Sequence, residues 1–139
     1  MTSGRFLRDG SPGDWPFIRL DLVAGTFVWR PPCSDGLVRC VPADSPAMAV
    51  LLLSGEFDAE TVPCLREVLD AVRTPQVELV LLDLIGVTFG DCALVHELTG
   101  ARSRPQRHVL LGPLPRRVAR LLALTGTRHT LDIALDDAP

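Results

Sequence analysis

Lysine is missing from this chain: its 14 arginines account for the whole Lys+Arg total of 14. A Walker A phosphate loop needs a lysine, a Schiff-base or pyridoxal enzyme needs a side-chain amine, and a protein kinase needs its strand lysine, so none of these can be built here. Long apolar runs are missing too. No stretch approaches the roughly 18 residues of a membrane helix, and the opening MTSGRFLRDGSPGD carries charge and glycine where a signal peptide has its apolar region. The expected location is therefore cytoplasmic, with no membrane insertion. An excess of positive charge is absent as well, because the net charge is -3 and the pI near 5.5, which leaves no basic field to hold nucleic acid. Cysteine is sparse: Cys33, Cys40, Cys64 and Cys92 stand seven, 24 and 28 residues apart, spacings that fit neither CxxC nor a zinc knuckle. They are expected to be reduced and to hold no metal, and nothing in the chain calls for a cofactor.

What is present suits one compact domain with an extension: 139 residues, 47% apolar and 22% charged. Residues 1–36 read as the extension, and residues 1 to about 46 contain six of the 12 prolines and five of the 11 glycines. Within it, Phe17 to Val23 alternates with period two, Ala24-Gly25 offers a turn, and Thr26 to Trp29 follows, a hairpin pattern over 17–29. An isolated hairpin is marginal in water, so this one has to lean on the main domain or on a second copy. From Leu37 to about residue 135 the pattern becomes alternating strands and helices. A short strand covers Leu37 to Val41, and the apolar run Ala47 to Leu53, stopped by Ser54-Gly55, reads as a buried strand.

Val62, Leu65, Val68, Leu69 and Val72 keep a helical period behind Thr61 as N-cap, with Pro63 in the first turn, and Thr74-Pro75 ends the helix. Val77 to Leu84 is the strongest strand and is expected to be central with both faces covered. Asp91 can cap a second helix that buries Leu94, Val95, Leu98 and Ala101 while His96 and Glu97 point away. Arg107 to Leu111 gives another strand, Pro115 to Thr125 a third helix with Val118, Leu121 and Leu122 inward and Gly126 after its end, and Leu131 to Ile133 a last strand before the acidic tail at 136–139. This order implies an α/β fold with a mixed, mostly parallel sheet of four to five strands, at least three helices and right-handed crossovers.

In open sheets of this kind functional surfaces gather where strand ends hand over to helix starts. Asp58, Asp83 and Asp91 lie in such segments, so a magnesium or phospho-aspartate site is one reading; turn formation and helix capping is the plainer one, and an acyl phosphate would also want a lysine. Cys92 in a first helical turn is a candidate thiolate, yet Asp91 opposes ionisation and none of His96, His108 or His129 comes with an orienting motif. Arg116, Arg117 and Arg120, with Arg102, Arg104 and Arg107 nearby in sequence, read first as a solvated face and second as a site for an acidic partner. The chain is therefore read as a non-enzyme.

Four segments resemble the STAS domain family, typified by bacterial anti-sigma factor antagonists. Leu51 to Leu69 (LLLSGEFDAETVPCLREVL) is similar to the family's strand, Gly-x-x-Asp turn and first helix, and Val77 to Asp91 (VELVLLDLIGVTFGD) to its central strand and following turn. Val109 to Gly126 resembles the fourth strand and third helix with their Leu-Thr-Gly stop, and Leu131 to Ile133 the final strand. The resemblance implies a non-catalytic, transcription-regulating module that binds an anti-sigma factor, commonly an ATPase-like kinase. Members under phosphate control read Asp-Ser-Ser/Thr-Gly at the turn, and the second hydroxyl residue takes the phosphate. Here the turn is Asp91-Cys92-Ala93-Leu94, so the acceptor position falls on Ala93 and the glycine is replaced by Leu94. Phosphorylation adds roughly -1.5 to -2 charge, and a chain without the acceptor hydroxyl cannot be switched that way. The expected partner surface is Asp58, Thr88, Phe89, Asp91, Cys92, Ala93 and Leu94, Asp58 being the Gly-x-x-Asp aspartate. Alternatives are a structural or adaptor domain that self-associates as a homodimer through the extension or binds a transporter or membrane complex, and a small-ligand sensor.

Overall fold

The computed structural model describes residues 19–23, 26–30 and 35–134, with Val28 the one side chain described in the first two stretches. The elements in chain order are β1 (Arg19–Val23), β2 (Thr26–Arg30), β3 (Leu37–Val41), β4 (Met48–Phe57), α1 (Val62–Val72), β5 (Leu79–Gly90), α2 (Cys92–Gly100), β6 (Arg107–Leu111), α3 (Arg116–Thr125) and β7 (Ile133–Ala134). All seven strands form one sheet in the order of the chain. β1 to β4 pair antiparallel, and β4 to β7 pair parallel.

Each parallel step is bridged by a helix, and right-handed crossovers that all advance in one direction put α1, α2 and α3 on the same face. The core agrees. One cluster joins Leu65, Leu69, Val95, Leu98, Val118 and Leu122 of the helices to Leu51, Leu53, Val80, Leu82 and Leu84 of β4 and β5. Truncating a fully buried leucine here, Leu51 or Leu82, would cost about 2–5 kcal/mol in lost burial and residual cavity.

The mixed sheet with three helices is the expected architecture. The hairpin pattern also holds: β1 pairs with β2 from Val23↔Thr26 to Arg19↔Arg30, while its turn at 24–25 and residues 17–18 lie outside the described residues. β2 in turn pairs with β3 through Phe27↔Cys40, Val28↔Arg39 and Trp29↔Val38. The hairpin therefore leans on the rest of the chain by continuing its sheet, which raises the strand number above the five of β3 to β7.

Other expectations need correction. β4 does not stop at Ser54-Gly55 but runs on to Phe57, and β5 does not stop at Leu84 but reaches Gly90. The two strands stay paired past the glycines by absorbing register shifts between Leu52 and Ser54 and between Gly55 and Glu56. Thr61 stands at the start of α1 but makes no side-chain cap bond there. The final strand starts at Ile133, because a 3-10 turn occupies Arg128–Thr130 and Leu131 packs into the core instead. Lastly, β5 is central but only one of its faces meets helices: Val80, Leu82 and Leu84 point into the core, whereas Leu79 and Leu81 are half-buried on the other side, outside the core cluster.

At the end of the molecule where α1 finishes, Arg73 donates from Nε to Nε2 of His108 on β6 at 3.0 Å, so this imidazole is an acceptor at Nε2 and neutral. Burial, then the Arg73 charge, lowers the His108 pKa from 6.5 to about 4. The unfolded chain takes up this proton near pH 6.5 and the folded one only near 4, so in that window the unfolded state binds more protons and acid destabilises the fold. A His108→Gln chain keeps an acceptor for Arg73 without titrating. Urea unfolding between these pH values is expected to show a shallower loss of stability for that variant than for the wild type.

Candidate functional site

β4 and β5 end side by side, and their last residues set the geometry of the two turns that follow. The Asp91 amide donates to the Phe57 carbonyl at 3.3 Å, which places the residue before α2 against the residue before Asp58. The approach depends on two glycines. Gly55 has φ +88, and a Cβ there would lie 2.1 Å from the Asp35 carbonyl oxygen. A Cβ on Gly90 would come 2.7 Å from Cδ2 of Leu94, which folds back over the strand end.

Each turn is held by an aspartate. Asp58 Oδ1 accepts from the amides of Glu60 (2.9 Å) and Thr61 (3.1 Å) and from the Thr61 hydroxyl (3.2 Å). Asp58 thus holds the turn before α1, while the Cys64 amide inside the helix donates to the Thr61 carbonyl at 2.9 Å. Donation from the Glu60 amide leads the effects that lower the Asp58 pKa below the ordinary carboxylate value. Asp91 Oδ1 accepts from the Ala93 amide at 2.9 Å, and Asp91 is extended at φ -126, the geometry of a side-chain N-cap. Asp83 is not part of this group. It lies opposite Leu52 in the middle of β5, where its Oδ1 accepts from the Ile85 amide at 3.0 Å and closes the bulge after Leu84. Among the described residues no cluster of three or more His, Cys, Asp or Glu is arranged to hold a metal ion.

Of the seven residues read as a partner surface, Thr88, Phe89 and Cys92 are exposed, Asp58, Asp91 and Ala93 are half-buried, and Leu94 is fully buried. Leu94 therefore supports the turn from within. Ala93 also turns towards the core, against which it packs. Among the described residues no histidine is hydrogen-bonded to Cys92: His96, one turn further along the same helix, is exposed, His129 sits in the turn after α3, and His108 pairs with Val80 at the opposite end of β5. The arginines at 102, 104, 107, 116, 117 and 120 are all exposed.

Ile85 is the surface residue that sequence reading missed. It is 64% exposed at the β5 bulge, and Phe89, 41% exposed, lies further along the same strand; its strand partner Glu56 is exposed, as are Ala59 and Glu60 in the turn after β4. Ile85 ends an apolar run from Leu79, and the one available hint was the aspartate two residues before it, which fits a bulge as readily as a strand position. The result is a rim with two apolar side chains and acidic neighbours at the two capped turns.

Gly55→Ala tests the turn geometry. The strained φ and the collision with a backbone carbonyl are expected to destabilise the chain by about 2 kcal/mol or more in chemical denaturation, whereas Gly100→Ala, at helical φ -65 where a Cβ meets nothing within 4 Å, is expected to be neutral or to stabilise by up to about 1 kcal/mol.

No family model matches the chain, and no curated protein matches it. Solved structures that share its fold include two anti-sigma factor antagonists. The anti-sigma factor antagonist SpoIIAA in its unphosphorylated form superposes with a TM-score of 0.51 at 19% identity over 70% of this chain and 86% of that one. An anti-sigma factor antagonist from Mycobacterium paratuberculosis superposes with a TM-score of 0.54 at 23% identity, over 69% of this chain and 84% of that one. The fold is thus STAS-like.

Proposed function

We propose that this chain is a regulatory protein-binding module of the anti-sigma factor antagonist type, that it catalyses no reaction, and that it engages an anti-sigma factor or ATPase-like kinase without being phosphorylated. The observation that carries the reading is the pair of aspartate-capped turns on a STAS-like fold with Ala93 at the acceptor position. Asp91 still caps α2, yet the side chain that would present a hydroxyl is a methyl group packed against the core. The binding surface keeps its shape while the switch chemistry is gone.

The rim chemistry describes the partner. Phe89 is exposed opposite Glu56, Ile85 is exposed earlier on the same strand and Glu60 in the turn after β4, which suits a protein surface with an apolar pocket and a basic border. Localisation in the cytoplasm follows from such a partner.

A second reading, a self-associating adaptor, draws support from the outer edge of β1, which no described strand pairs. Sedimentation of the purified chain separates the two, since a dimer that β1 substitutions dissolve favours the adaptor.

Titration against a co-encoded anti-sigma kinase tests the main reading. Ile85→Ser and Phe89→Ser, both at exposed positions, are each expected to weaken binding by about tenfold or more while leaving the unfolding midpoint near that of the wild type. Equal affinity for all three chains would refute the placement of the surface, and no binding by the wild type would refute the function.

A further inference from the structure

The sheet has a second face that no described element covers. By register Val50, Leu52, Leu79 and Leu81 point away from the helices, and all four are half-buried and outside the core cluster. By the same register the exposed Arg39 and Arg107 and the half-buried Asp83 border this face, and an apolar centre of parallel strands such as Val50, Leu52, Leu79 and Leu81 is ordinarily packed on both sides. Two further residues of the same face are buried within the single chain: Val109, paired with Leu81, is 6% exposed, and Val28, paired with Arg39, is 5% exposed. Neither belongs to the core cluster under the helices. They stand on β6 and β2, four strand spacings or about 19 Å apart, so one local side-chain contact does not explain both.

We propose that residues 1–18 of the chain itself occupy this face as an apolar strap. Length and position favour this occupant over a second copy. The chain outside the described residues consists of two short connections at 24–25 and 31–34, a tail at 135–139 and the 18 residues before β1. Only the last stretch is long enough: 18 extended residues span about 60 Å, and crossing from β1 to β6 needs about 24 Å. It enters the sheet at Arg19, which pairs with Arg30 at the outer edge. Its composition also suits the role, with Phe6, Leu7, Trp15 and Phe17 interspersed among charged and small residues. The assignment does not rest on the partner reading, which concerns Ile85 and Phe89 beyond the bulge after Asp83, towards the strand ends of this face.

Trp15 and Trp29 are the two tryptophans of the chain, so the fluorescence of the full-length protein minus that of its Trp15→Phe variant isolates Trp15 without touching the sheet. A strap predicts blue-shifted Trp15 emission that acrylamide quenches several-fold less than a free indole. Leu81→Arg, which places a charge in the centre of the open face, should shift that emission to the red and raise quenching while the helical circular dichroism is retained. Should Leu81→Arg fail to fold, the subtraction in the wild type and the state of association by sedimentation still decide. Water-like Trp15 emission in a monomer overturns the proposal, and so does a dimer in which Trp15 is water-exposed, because the cover would then be a second copy.

Discussion

The parallel pairing of β4 with β5 beyond the core is the constraint on which the site depends. Up to Leu52 and Asp83 the two strands form an ordinary ladder packed on helices. Past that point they remain together only because the register slips twice and glycine occupies the positions where a side chain would strike a neighbour. Were the strands to part at Gly55, the Phe57 carbonyl would lose the Asp91 amide, and the turns capped by Asp58 and Asp91 would separate. A surface made of these two turns is therefore only as precise as this short bulged extension.

Under the proposed function, the same extension would let the surface keep its shape with no hydroxyl at position 93. The Asp91 cap, the Gly90 approach and the burial of Leu94 are one packing unit: Leu94 fills space that Gly90 leaves open, and Ala93 completes the inward side of the first helical turn. A larger residue at position 94 is accommodated by pointing it inwards. The outer rim, from Ile85 through Phe89 to Cys92, is carried by the bulge and by α2 and does not need the hydroxyl.

Much of this was legible in the sequence, and the failures have identifiable causes. Strong periodicity located α1, α2, α3 and β6 almost to the residue, since burial of one face is what sets that period. Ser54-Gly55 looked like a strand terminator because glycine usually is one; here its positive φ lets β4 pass close to Asp35 and continue. Thr61 looked like a side-chain cap of α1, but Pro63 has no amide to offer it, the Cys64 amide goes to the Thr61 carbonyl, and the Thr61 hydroxyl donates to Asp58 one turn earlier. Capping of Ile85 by Asp83, which exposes an isoleucine in an otherwise buried run, depends on a register shift with β4 that a single strand cannot reveal. The uncovered sheet face was hidden for the opposite reason: an apolar run reads as buried on both sides whatever supplies the second layer.

The most direct measurement is the affinity of the chain for a co-encoded anti-sigma kinase with and without turnover of magnesium ATP, followed by intact mass of the recovered protein. Binding to a partner that cannot modify Ala93 predicts the same dissociation constant in both conditions and an unchanged mass. Release of the complex during turnover, with phosphate found on the chain, would contradict it.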